Sequence, residues 1–179
     1  MARRKKELLL LAVLLLALLT TVSVVWANDR AAVPATVVGI THMSIPLTEF
    51  GLDLEGNADM DELSYAFRRN SNGSLSGHYF YQLTLLGTTN SYSGEIVCLK
   101  VDGDRAWIGT TVDESTNPGS IGTYSWWQVK DNQDSDDAPR STFLGFGTLE
   151  ETIAYCEGPD PNFIFDIHRG NIRVNSLND

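Results

Sequence analysis

Alternation of apolar and polar residues is the main pattern along most of the chain after residue 35. It is clearest over Ser74–Leu86, where five apolar side chains fall on one face: Leu75, Tyr79, Tyr81, Leu83 and Leu85. A period of two residues indicates a half-buried β-strand. Similar patterns predict strands over Thr36–Leu47, Glu62–Arg69, Tyr92–Val101, Arg105–Val112, Ile121–Lys130 and Ser141–Gly147, and a last hairpin or one bulged strand over Phe163–Asn175.

The connections between these strands carry turn-forming residues. Asn72-Gly73 and Asp102-Gly103 each predict a two-residue hairpin turn, because both positions tolerate a positive φ. The remaining connections are predicted to be loops: Gly51–Asp61, Gly87–Ser91, Asp113–Gly119 and Asp131–Arg140.

One segment has helical spacing. Thr148 and Glu151 form the two ends of a capping box, which predicts that a short helix begins there. Leu149, Ile153 and Cys156 recur at helical intervals, Cys156 is expected on the inward face of the helix, and Gly158-Pro159 follows as a stop signal. The sequence therefore predicts one short helix near residues 149–157.

These elements indicate an all-β fold. About eight short strands joined mainly by tight turns are typical of an antiparallel barrel or sandwich, and successive hairpins favour a meander that closes into a barrel. The alternation places Trp127 with Val129 on one face of their strand, opposite Tyr124 and Trp126, and aligns Val97 with Leu99 and Val101, opposite Ile96 and Cys98. Residues 36–179 are predicted to form one domain, since the length is too short for two.

The first 27 residues have the pattern of an export signal. Arg3 to Lys6 are basic, Leu8–Leu19 is an unbroken apolar run of 12 residues, and Ala27 ends a sequence that a signal peptidase accepts. An uncleaved membrane anchor is the alternative, because about 20 apolar residues can cross a bilayer. Cleavage after Ala27 is favoured, with residues 28–35 as a flexible lead-in, and the domain is expected outside the cytoplasm in both cases.

Charge and cysteine content narrow the function. The chain has a net charge of −10, and without the first 27 residues it carries 9 basic and 22 acidic residues, a net charge of −13. Such a body repels phosphate, which argues against nucleic-acid binding, and contact with a membrane is expected only through an uncleaved N-terminal segment. Cys98 and Cys156 are expected to form a disulfide in an exported chain, which would contribute about 4 kcal/mol; free thiols are the alternative.

Candidate metal and catalytic residues give weak signals. His42, His78 and His168 lack the spacing of a zinc site. The acidic loop offers weak calcium ligands in Asp131, Asp134, Asp136 and Asp137, but it lacks the Gly and Glu of an EF-hand. No nucleophile motif and no phosphate-binding Gly loop occurs, so no catalytic residue and no cofactor is predicted. A carboxylate pair for glycoside hydrolysis stays open as an alternative.

Consecutive aromatic residues are the strongest binding signal. Tyr79-Phe80-Tyr81 and Trp126-Trp127 must point to both faces of their strands, and only one face can be core. Phe80 and Trp126 are therefore the candidate ligand-binding residues. Packing under the helix or inside a closed barrel is the structural alternative for both.

Several stretches resemble a group of uncharacterised secreted bacterial β-rich proteins. The group has a Cys-Leu-x-Val-x-Gly-x-x-Ala-Trp-Ile-Gly core, which corresponds here to Cys98–Gly109. It also has a Val-x-Asp-Asn loop, a second Cys and a Gly-Asn-Ile near the end, which correspond to Val129–Asn132, Cys156 and Gly170–Ile172. The chain departs from the pattern at Gln133-Asp134. The resemblance implies export and a β fold, and no activity.

The expected function is non-enzymatic. The leading hypothesis is an exported domain that binds a small apolar or carbohydrate ligand, or a protein partner. The alternatives are a cell-surface hydrolase that uses a carboxylate pair and a purely structural surface domain.

Cleavage after Ala27 can be tested by intact mass spectrometry of the protein from a secreting host. We expect a mass that lacks residues 1–27, because the apolar run is short and a cleavage motif follows it. A full-length product in the membrane fraction would contradict the cleaved signal.

Overall fold

A computed structural model of the chain describes residues 33–50, 55–131, 139–158 and 165–176. The predicted signal segment lies outside these residues. The described residues form eleven strands, one α-helix and two 3₁₀ turns. The strands are β1 (Ala35–Pro46), β2 (Asn57–Arg69), β3 (Leu75–Leu85), β4 (Thr88–Asp102), β5 (Arg105–Thr111), β6 (Glu114–Ser115), β7 (Tyr124–Lys130), β8 (Arg140–Ser141), β9 (Gly145–Gly147), β10 (Phe165–Asp166) and β11 (Arg169–Ser176). The helix α1 is Leu149–Cys156, and the 3₁₀ turns are Leu47–Phe50 and Pro118–Ser120.

All strand pairs are antiparallel, which confirms the predicted all-β class. The order is β10-β8-β7-β5-β4-β3-β2-β1-β11, with β6 beside β4 and β9 beside β7. Strands β1 to β5 follow one another as a meander, as predicted. The order has two ends, so the sheet is open and the closed barrel is not confirmed. The structure has eleven strands where about eight were predicted, because the two-residue β6 gives no periodicity and because the predicted elements over Ser141–Gly147 and Phe163–Asn175 each form two strands.

The last described segment ties the two ends of the sheet to one another. β10 pairs with β8 and β11 pairs with β1, so neither the predicted hairpin nor a single bulged strand is present. Between them, the Ile167 N–H donates to the Pro139 carbonyl and the His168 N–H donates to the His42 carbonyl, both at 3.0 Å. The Val174 N–H donates to the buried Asp131 carboxylate at 2.9 Å, beyond the end of β7. One stretch of chain therefore holds both ends of the strand order.

Aromatic side chains form the centre of the core. Trp127 of β7 is fully buried, and its ring centroid lies 5.3 Å from that of Tyr79 and 5.9 Å from those of Tyr65 and Phe67. Strands β2 and β3 are not neighbours of β7 in the sheet, so these contacts cross the interior. Trp127 and Val129 share one face of β7 as predicted, and both belong to the core.

Several boundaries differ from the predictions for physical reasons. The loop predicted over Gly51–Asp61 is a strand from Asn57, because Ala58 and Met60 pair with β1 and are buried. The loop predicted over Gly87–Ser91 is strand from Thr88. The strand predicted over Ser141–Gly147 is divided into β8 and β9.

The hairpin turns also differ in detail. The Asn72-Gly73 hairpin is confirmed, but the Asn70 N–H donates to the Ser74 carbonyl at 2.9 Å, so its loop has three residues and not two. The Asp102-Gly103 hairpin has its two-residue loop one position later, between the paired Asp102 and Arg105. A further two-residue turn lies at Leu86-Gly87, where both residues have a positive φ.

A β-bulge changes which residues of β4 face the core. The pairing of β4 with β5 shifts register between Ile96 and Cys98. A bulge interrupts the period of two, so Ile96 and Leu99 both join the core, whereas Val97 is outside the buried cluster. The predicted alignment of Val97 with Leu99 was therefore wrong.

The helix begins as predicted but presents a different face. Thr148 and Glu151 make both hydrogen bonds of the capping box. Thr152 and Cys156 are the buried residues, whereas Leu149 and Ile153 are 45% and 39% exposed. Cys156 faces inward as predicted, whereas Leu149 and Ile153, which share its helical spacing, do not, because the disulfide and Thr152 determine which side lies on the sheet.

Cys98 of β4 and Cys156 of α1 form the predicted disulfide, with an Sγ–Sγ distance of 2.02 Å. Gly109 of β5 lies directly opposite Cys98 in the sheet. A Cβ atom at Gly109 would lie 2.4 Å from both Cys98 Sγ and Thr152 Cγ2. The missing side chain therefore makes the space in which the disulfide and the helix rest on the sheet.

We expect Gly109→Ala to destabilise the domain by about 2 kcal/mol, because the added methyl group overpacks the contact between helix and sheet. Urea unfolding of the oxidised protein measures this change. Gly119→Ala is the matched control: its nearest atom would be Asn117 Oδ1 at 3.5 Å, so we expect a change within about 0.5 kcal/mol. Equal stability of the two variants would show that the contact is loose.

Buried tyrosines predict sensitivity to alkaline pH. Burial raises the pKa of Tyr65 and Tyr81 far above the ordinary value and that of Tyr155 to about 12. Tyrosines in the unfolded chain ionise at about pH 10. The buried, neutral tyrosines therefore stabilise the fold fully below that pH. This stabilisation is lost as pH rises above about 10 towards the raised pKa values of the folded state. We expect tyrosinate absorbance and loss of circular dichroism to appear together. Ionisation of these tyrosines with the fold intact would contradict the prediction.

Candidate functional site

The two predicted binding residues lie in different surroundings. Phe80 of β3 is 37% exposed on the outward face of the sheet. Trp126 of β7 is half-buried, and its ring centroid lies 6.0 Å from that of Tyr155 on α1. A Cβ atom at Gly145 would lie 2.4 Å from Trp126 Nε1, so β9 also packs closely against the indole. Trp126 thus packs under the helix, as the structural alternative proposed, and it does not share a surface with Phe80.

Exposed apolar residues of β1 lie on the same outward face as Phe80, on the far side of β2. Val38 and Ile40 of β1 are 39% and 51% exposed and point outward between buried neighbours. Val38 pairs with Ala66, and Ile40 pairs with Ser64, which in turn pairs with Phe80. Ala66 and Ser64 have small side chains, so the larger side chains on the neighbouring strands protrude from the sheet. We call Val38, Ile40, Ala66 and Phe80 the outer patch.

A shallow depression of about 440 Å³ adjoins the outer patch. Its lining residues are Val38, Gly39, Ile40, Tyr65, Asn171 and Arg173. The Tyr65 side chain packs closely against Gly39, since a Cβ atom at Gly39 would lie 2.3 Å from Tyr65 Oη. The Tyr65 hydroxyl has no hydrogen-bond partner among the described residues, and its pKa is raised by burial and by the Asp131 carboxylate. The depression therefore combines aliphatic walls with an amide and a guanidinium on β11.

Two of the three histidines meet elsewhere on the sheet. His42 and His168 line a hollow of about 300 Å³ with Asp59 and Asp61. The His42 Nδ1–H donates to the Asp61 carbonyl, and the Ser44 hydroxyl donates to the Asp59 carboxylate. The Thr84 hydroxyl donates to the Asp61 carboxylate at 2.6 Å. These hydrogen bonds connect β2 to β1 and to β3.

The hollow does not assemble a metal centre. In the part of the chain that the structure describes, no three His, Cys, Asp or Glu side chains are placed to share a metal ion. His78 lies instead beside the outer patch, where it pairs with Ala66. The two carboxylates of the hollow are both engaged with hydroxyl groups, so the geometry favours a structural role for them.

Of the calcium candidates in the acidic loop, the structure describes only Asp131. Asp131 is 3% exposed, and its carboxylate accepts the Val174 N–H. Asp134, Asp136 and Asp137 lie outside the described residues. The weak calcium candidate Asp131 therefore points into the domain, where it holds β11.

Sequence patterns could identify Phe80 but not the rest of the outer patch. Thr36–Leu47 carries apolar residues on both faces, so its periodicity does not reveal that Val38 and Ile40 point outward. The missing information was the pairing of β1 with β11, which brings Asn171 and Arg173 next to them.

Neither a protein-family model, nor a curated protein, nor a solved structure matches this chain. None of the described helices has the length and apolar character needed to span a membrane. A disulfide is compatible with a location outside the cytoplasm.

Proposed function

We propose that this protein is a non-enzymatic binding domain that acts outside the cytoplasm and recognises a protein partner through the outer patch. The observation that carries the proposal is the exposure of Val38 and Ile40 on β1, of Ala66 on β2 and of Phe80 on β3 on one outward face. Contiguous exposed apolar surface on a soluble domain marks an interaction site more often than scattered apolar residues do.

The shape of the surface favours a protein over a small ligand. Pockets for small ligands bury most of the ligand in a cleft. The outer patch stands on a sheet face, and the adjoining depression is shallow. Aromatic side chains and arginine, here Phe80 and Arg173, are enriched where protein partners bind.

Export after cleavage of residues 1–27 belongs to the same proposal. It is supported by the basic and apolar leader, by the disulfide between Cys98 and Cys156, and by the resemblance to secreted β-rich proteins.

Site-specific crosslinking tests the proposal. A photo-crosslinking phenylalanine analogue replaces Phe80 in the protein secreted by its own host, and the products are identified by mass spectrometry. The same analogue at Ile121, which is 51% exposed outside the outer patch, is the control. We expect one partner to crosslink at position 80 and not at position 121.

The affinity of that partner gives the quantitative test. Val38→Thr/Ile40→Thr/Phe80→Thr keeps strand-forming residues and should weaken binding at least tenfold, since exposed anchors dominate interface energies. Ile121→Thr/Ile153→Thr should bind as the wild type does. A partner that crosslinks equally at both positions, or that binds the triple variant unchanged, would refute the outer patch as its site.

A further inference from the structure

The basic residues of the domain divide into two groups. Those away from the outer patch are engaged: Arg69 with the Val33 and Leu99 carbonyls, Lys100 with the Glu157 carbonyl, Lys130 with Asp104, Arg140 with Asp166, and Arg105 also interacts. The guanidinium groups of Arg68, Arg169 and Arg173 make no hydrogen bond or ion pair with the described residues. All three are exposed. The uncommitted positive charge is therefore not spread evenly over the surface.

These three arginines lie on the same outward face as the outer patch. Arg173 pairs with Val38, and Arg169 pairs with His42, two residues beyond Ile40. Arg68 pairs with Thr36 and lies two residues from Ala66 on the same strand. Acidic residues lie at the margins of this face: Glu95 opposes His78 on β4, and Glu62 follows Asp61 near His42. The arginines of β11 therefore give the outer patch a positively charged border on that side.

The three arginines without a carboxylate partner contrast with the acidic composition of the rest of the chain. The sequence has 23 acidic and 13 basic residues, and four of the basic residues precede residue 7. Carboxylates to pair with these arginines are therefore abundant, yet the sheet registers place none beside Arg68 or Arg173. Guanidinium groups beside exposed apolar side chains suit bidentate contact with carboxylates of a partner.

Resting on the proposed function, we infer that the partner presents acidic and aliphatic side chains together, as an acidic apolar protein segment. Carboxylates of that segment meet Arg68 and Arg173, and an aliphatic side chain enters the depression between Val38, Ile40 and Asn171. Complementary charge of this kind sets specificity and the rate of association.

Other occupants fit less well. A long polyanion or an anionic membrane is repelled by the net charge of −13 that the chain carries after residue 27. A symmetric dimer through the outer patch would place each arginine cluster near that of the other copy, since a two-fold interface apposes the same surface. Both alternatives are outcomes of the test.

The test uses short fluorescent peptides with the full secreted domain. One peptide alternates glutamate with leucine, a second alternates glutamine with leucine, and a third alternates glutamate with serine. We expect the glutamate-leucine peptide to bind about tenfold tighter than either of the others, with an advantage over the glutamine peptide that shrinks as salt is added. Anisotropy titration measures the affinities.

Charge-matched variants locate the effect. Arg68→Gln/Arg173→Gln should remove the advantage of glutamate over glutamine, a loss of about tenfold. Lys130→Gln/Arg140→Gln lowers the net charge equally and should keep that advantage. Equal loss in both variants would show a general charge effect and overturn the inference.

The remaining outcomes separate the inference from the proposed function. If the glutamate and glutamine peptides bind equally, and both are lost with Val38→Thr/Ile40→Thr/Phe80→Thr, the outer patch binds without acidic preference and only the inference fails. If the serine peptide binds as tightly as the leucine peptide, the apolar role of the patch fails as well. Absence of binding by all three peptides, tight binding of anionic vesicles, or concentration-dependent dimerisation lost in the triple variant would each overturn the acidic segment as the occupant.

Discussion

The contact of Trp127 with three aromatic rings is the interaction on which the arrangement of the sheet depends. Trp127 lies on β7, whereas Tyr65, Phe67 and Tyr79 lie on β2 and β3, at the other side of β4 and β5 in the strand order. Aromatic pairs of this geometry contribute about 0.5–1.5 kcal/mol each beyond the burial of their area. Because hydrogen bonds connect only adjacent strands, this cluster provides the long-range cohesion that ladder pairing does not.

Two parts of the outward face of the sheet have different surroundings. Over β4, β5 and β7 the face is covered by α1, which is held by the disulfide and by the space at Gly109. Over β11, β1, β2 and β3 the face carries no helix among the described residues and exposes the outer patch. The aromatic-rich strands thus place core residues on their inner side. On their outer side, Trp126 packs under the helix, whereas Phe80 is exposed.

Local signals predicted the elements that depend on neighbouring residues. The capping box at Thr148 and Glu151 and the alternation in β3, β5 and β7 involve contacts within a few residues or one repeating period, so the sequence was sufficient. The bulge beside Cys98 and the exposure of Leu149 depend on packing between distant strands, and no local pattern records them. The candidate site shows the same division. Phe80 could be found from three consecutive aromatic residues, but its neighbours Val38 and Arg173 come together only through the pairing of β1 with β11.

The position of β11 has a consequence for when the surface comes into existence. Asn171 and Arg173 form one wall of the depression, and they belong to the last strand of the described chain. That strand pairs with β1, the first strand, so the wall is placed only when the two distant segments have met. A nascent or truncated chain without residues 169–176 lacks this wall of the depression even if its earlier hairpins have formed. Recognition through this face would therefore report that the first and the last described strands have joined.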